Sequence, residues 1–171
     1  MERIHAGSIA QEPRFRVLVT CRYHACEMMT NYFAEGMLES ILGGSAAGAW
    51  FRKNVELLLI PFVDKDGVED GDQGKNRIPV DHKSDREGIY PETAALRRFI
   101  PEWRNGKPLV DLDLHDPTMT GQVIYTHSFR RKDENLKRSE QLLNNPRRGA
   151  AGTAAVPCAG LDRLRPEETG R

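Results

Sequence analysis

Three residues of this chain have the types and spacing to hold a metal ion. His24 and Glu27 stand at i and i+3, after an alternating apolar segment and at the start of a helical one. That spacing puts an imidazole nitrogen and a carboxylate on the same side. Zinc is well served by such a pair plus one distant ligand, which leaves a fourth position for water. His115 is the natural third ligand. It lies 88 residues after Glu27 and ends a predicted strand, the edge where sites in open α/β sheets collect. The pair alone is a weak signal. An isolated His-x-x-Glu also suits a solvated helix N-terminus, where the glutamate gains from the helix dipole.

The surrounding periodicities supply the elements that must carry these residues. Arg14–Cys21 alternates, with Phe15, Val17 and Val19 on one face, and reads as a strand. From Ala25 to Leu42 the period changes to four, with Met29, Phe33, Met37 and Ile41 as the expected core stripe of a helix stopped by Gly43-Gly44. Asn54–Val63 is a near-continuous apolar run, expected to be a buried central strand. Asp64–Gly74 is a Gly/Asp-rich loop, and Lys75–Ile89 stays polar and irregular. A loop of that length inside a domain marks function. Pro91 is well placed for the first position of a second helix carrying Ala95, Leu96, Phe99, Ile100 and Trp103. Leu109–His115 alternates again as a strand, Gln122–His127 is a further short strand, and Lys132–Leu143 is a charged helix. Strands alternating with helices predict an α/β layer fold. The expected organisation is an irregular lead-in over 1–13, one domain over 14–144 and a disordered Gly/Ala/Pro/Arg-rich tail over 145–171.

Composition narrows the function classes. The 171 residues carry 25 Lys+Arg against 25 Asp+Glu, so no basic excess points to nucleic acid or to an anionic membrane. No run approaches the roughly 20 apolar residues of a membrane span. The first residues lack the apolar core of a secretory signal, and three cysteines are too few and too odd for a disulfide framework. Both features predict a reducing, cytoplasmic setting. The acidic loop fails as an EF-hand, because Val68 falls on a ligand position in either register. Cys26 is expected to be a small buried filler. His5, His82 and His127 are expected to be loop or surface histidines, with His82 singled out by its neighbour Asp81. Arg130–Lys132 reads as a solvated lead-in to a helix.

Taken together and in order, Arg22–Glu27 (RYHACE), Ile60–Asp72 (IPFVDKDGVEDGD) and Leu112–Pro117 (LDLHDP) resemble the zinc carboxypeptidase family. The resemblance runs from about Phe15 to about Tyr125. It implies a mixed eight-stranded sheet flanked by helices, with Zn2+ held by His24, Glu27 and His115. It also implies that Arg77 stabilises the oxyanion and that Asp81 orients the first zinc histidine. The substrate it implies is a peptide or small amide.

Two departures from the family pattern stand out. Where the family has an Asn-Arg pair that grips a terminal carboxylate, this chain has Lys83 and Ser84, which removes bidentate recognition. Arg86 is the nearby residue that would substitute. The family's general base is a glutamate well downstream of the third ligand. Here Glu134, Glu140, Glu167 and Glu168 are the candidates, and none sits in a matching strand-like context. The expectation is that the base and the later strands are missing, so that the chain is a truncated copy or fragment. Uncovered sheet edges would then favour self-association. Two alternatives stay open. One is a zinc amidase of the aspartoacylase-like deacylase branch, acting on small acylated amino acids. The other is a non-catalytic zinc-binding fragment.

Overall fold

A computed structural model describes residues 1–116. The expected strand at Gln122–His127, the helix at Lys132–Leu143, the cation run Arg130–Lys132, the 145–171 tail and the four downstream glutamates lie outside the described residues. So does His127.

The described residues form a mixed sheet between helices. Its strands are β1 (Ile4–Gly7), β2 (Phe15–Cys21), β3 (Val55–Ile60) and β4 (Leu109–Leu114), in the spatial order β1-β3-β2-β4. β2 runs parallel to both β3 and β4, and β1 is antiparallel to β3. All six residues of β3 are buried, as a strand covered on both faces must be. One face packs Val19, Cys21, Leu57 and Leu59 against Ala34 and Ile41 of α1 (Met29–Leu42). The other packs Leu18, Leu58, Ile60 and Val63 against Leu96 and Trp103 of α4 (Pro91–Arg104). Pro91 opens α4 at its first turn, as expected, and Asn105 closes it in the left-handed conformation.

Several local expectations change. Ile4–Gly7 is a strand and no irregular lead-in: its register with β3 supplies the order that four residues cannot encode alone. The first helix begins at Met29, so His24 and Glu27 stand in the turn before it. Its buried stripe is Thr30, Ala34 and Ile41, while Met29 and Phe33 are exposed. The broad apolar pattern held two possible faces, and the small one seats closer to the sheet. Cys26 is exposed and fills no core. His82 is buried, against its expected surface place. α2 (Ala46–Asn54) follows Gly43-Gly44, capped by Ser45 accepting from the Gly48 amide at 3.0 Å. The Asp-Gly loop contains a helical turn, α3 (Lys65–Asp70), capped by Asp64 and ended by Gly71 at φ 75°. No helix among the described residues is long and apolar enough to cross a membrane.

Leu58 is fully buried in the second core. Leu58→Ala should lower the unfolding free energy by about 2–5 kcal/mol, read by denaturant titration. A loss under about 0.5 kcal/mol, the size of a surface change, would contradict that packing.

Candidate metal centre

The β2–β4 register sets the site. Cys21 lies opposite Leu114, so the chain leaving β2 and the chain leaving β4 emerge side by side. Arg22 turns the chain sharply, at φ 60°. This left-handed conformation is unfavourable for a residue with a Cβ. Its side chain holds the turn, donating to the Ala25 carbonyl at 2.7 Å and to Asn31 Oδ1 at 3.1 Å. Within that turn the Glu27 amide donates to the His24 carbonyl at 3.1 Å. Asp116 accepts from the Met29 amide at 3.3 Å and ties the end of β4 to the start of α1.

These constraints bring His24, Glu27 and His115 together. His24 Nδ1 lies 2.9 Å from Glu27 Oε1, and His115 Nδ1 lies 2.6 Å from Glu27 Oε2. One donor atom from each residue falls within 4.8 Å of the others. Glu27 is only 3% exposed, and burying a carboxylate requires compensation by cations or donors. Burial alone would raise its pKa, but hydrogen bonds from His115, Lys75 and His24 hold it at about 2. Burial alone would lower the His115 imidazole, but Asp113 and Glu27 push it up to about 9.

The far nitrogens of the two histidines also face carboxylates. His115 Nε2 is 2.9 Å from Asp113 Oδ2, and His24 Nε2 is 3.8 Å from Asp81 Oδ1. Ligating histidines commonly carry such a carboxylate on the nitrogen away from the metal, which fixes tautomer and ring orientation. Two imidazoles and one carboxylate, with a further carboxylate bonded to the far nitrogen of His115, are a donor set that fits zinc.

The other expected residues stand elsewhere or do other things. Arg77 forks onto Asp64, with contacts of 3.0–3.3 Å, and pairs with Asp72 at 2.9 Å, so its guanidinium is held by two carboxylates. A Cβ on Gly67 would meet Arg77 Nη2 at 2.3 Å, which explains a glycine under that fork. Asp81 caps the 3-10 turn His82–Ser84 by accepting from the Ser84 amide at 2.9 Å, besides facing His24. Lys83 and Arg86 are exposed and make no ion pair among the described residues.

A second cluster joins Asp64, His82 and Glu92. His82 stacks on Tyr90 with centroids 4.1 Å apart, and its Nε2 contacts Glu92. Because Arg77 already neutralises Asp64, this cluster works as a brace for the 75–90 loop. Asp85 adds to the brace by accepting from the amides of Gly88, Ile89 and Tyr90.

Sequence reasoning missed two site residues. Asp113 could have been found, since it stands two residues before His115 on the same side of the alternating run Leu109–His115. Lys75, whose ammonium lies 2.8 Å from Glu27 Oε1, lay in a loop marked as functional but carried no signal of its own.

No protein-family model matches the sequence, and no curated protein is recovered as similar. Solved structures are similar in fold. A metallo-carboxypeptidase from Pseudomonas aeruginosa, solved with (2-guanidinoethylmercapto)succinic acid, superposes with TM-score 0.67 at 17% identity, over 92% of this chain and 44% of that one. A metallo-carboxypeptidase from Burkholderia cenocepacia gives TM-score 0.54 at 20% identity, over 67% of this chain and 32% of that one. The chain therefore has a metallo-carboxypeptidase fold, and spans under half the length of these two structures. Four strands of its mixed sheet are described, against the eight that the resemblance implies for the whole fold.

Asp113→Asn should weaken zinc binding by about 10–100-fold, measured by competition with a chromogenic chelator. Unchanged affinity would mean that Asp113 does not orient a ligand.

Proposed function

We propose that the chain is a zinc-dependent hydrolase domain of carboxypeptidase type, cleaving a peptide or small amide bond. The observation that carries this reading is the convergence of His24 Nδ1 and His115 Nδ1 on the two oxygens of one buried carboxylate, Glu27. Zinc bound by these three residues would lower the pKa of a water molecule and polarise a carbonyl. Asp113 holds the His115 imidazole in the tautomer that presents Nδ1, and Asp81 faces the corresponding far nitrogen of His24 at 3.8 Å. Overall, the water oxygen joins the carbonyl carbon, the C–N bond breaks and the amine leaves with a proton. Glu134, Glu140, Glu167 and Glu168 are the downstream candidates for moving that proton, but none has the sequence context expected of the base, so a missing base and an inactive zinc domain belong to this reading.

The deacylase alternative is favoured by one feature, the replacement of the family's Asn-Arg pair by Lys83 and Ser84. Without a bidentate clamp, a small acylated amino acid is as good a substrate as a peptide C-terminus. The non-catalytic reading would make the same three residues a zinc-binding element only.

Zinc-loaded protein should be assayed on a peptide with a free C-terminus, the same peptide with a blocked C-terminus, and an N-acyl amino acid. We expect cleavage of the free peptide, abolished by a chelator and restored by zinc. Turnover of the N-acyl amino acid alone would replace the peptidase reading with the deacylase one. Zinc retention with no turnover of any substrate would leave a non-catalytic zinc domain.

A further inference from the structure

The centre needs a cation where the scissile carbonyl oxygen gains negative charge. The arginine expected for that role is held by Asp64 and Asp72. We propose that Lys75 is the residue that stabilises this oxygen; the inference rests on the hydrolase reading above. Among the described residues Lys75 is the only lysine or arginine in ion-pair contact with the His24–Glu27–His115 cluster, 2.8 Å from Glu27 Oε1.

The backbone places it there. The Cys26 amide donates to the Gln73 carbonyl at 3.2 Å, which fastens the loop to the turn carrying the first two ligands. Gly74 follows at φ 81°, and a Cβ there would lie 2.5 Å from the Ala25 amide nitrogen. Only glycine permits this approach, and it delivers the next residue, Lys75, onto Glu27. The lysine side chain is about half exposed (46%). It therefore has freedom on the solvent side, where a substrate arrives, while its stem is fixed by the loop.

Charge explains why the ammonium would change partner. Glu27 shared with a divalent cation has less negative charge to offer a second cation, and like charges a few ångströms apart repel. An anionic oxygen on the open side of the centre offers the ammonium a better partner. A flexible point charge with three donors can follow that oxygen from carbonyl to tetrahedral anion. Lys75 donates a hydrogen bond throughout and keeps its proton. No bond to it forms or breaks.

The test uses the full chain loaded with zinc, with Lys75→Met and Lys75→Arg beside the wild type. Two affinities are measured: that of zinc, by chelator competition, and that of a phosphinic dipeptide, by calorimetry. The phosphinic group is a tetrahedral anion that mimics the attacked amide. Lys75→Met should weaken the phosphinic dipeptide by about 100-fold, the size of a lost oxyanion donor, with zinc bound at least as tightly as before. Lys75→Arg should recover most of the loss. Phosphinate affinity within twofold of wild type in Lys75→Met would overturn the assignment while leaving the hydrolase reading intact. Loss of zinc in Lys75→Met would also overturn it, by making Lys75 a support of the metal ligands. A wild type that binds no zinc would overturn both.

Discussion

The pairing of β4 with β2 is the constraint on which the site depends. Parallel strands end at the same edge, and the match of Cys21 with Leu114 sets two chain exits side by side. One exit is bent by Arg22 into the turn that holds His24 and Glu27, and the other ends in His115. Shifting the register by one residue would turn His115 to the opposite face of the sheet. The hydrophobic cores on both faces resist such a slip, because Leu112 and Leu114 would leave one core and Leu109 the other. Packing far from the centre therefore fixes the geometry at it.

Electrostatics divide the loop side of the sheet into two parts with different jobs. Asp64, Arg77, Asp72, His82 and Glu92 form a set in which Arg77 answers two carboxylates and His82 contacts the third, and this set braces the long loop. Glu27, His24, His115 and Lys75 form an open set, in which one buried carboxylate collects three donors. The first is a structural network and the second is poised to exchange a partner. That contrast is why Arg77, with the sequence context of a catalytic residue, is read as structural. It is also why Lys75, with no such context, is read as the cation facing substrate.

The convergence of His24, Glu27 and His115 was legible because its signals are short and local: His-x-x-Glu after a strand, and a histidine ending an alternating LDL run. The central strand and the second helix were legible for similar reasons, an apolar run and a proline at a helix start. Other features depend on tertiary contacts that no window of sequence contains. β1 is ordered by pairing with β3. The start of the first helix is delayed to Met29 by the Arg22 turn. The choice of Thr30 and Ala34 over Met29 and Phe33 as the buried face follows from how closely the helix meets the sheet. Arg77 was placed at the centre by its neighbours in sequence, yet Asp64, 13 residues earlier, decides where its guanidinium sits.

The central claim is that His24, Glu27 and His115 form one metal site. The most direct test is zinc stoichiometry after equilibrium dialysis of the wild type, His24→Ala and His115→Ala. The account predicts one tightly held zinc per wild-type chain and its loss in both variants, with the fold retained by circular dichroism. Equal zinc content in all three proteins would contradict it.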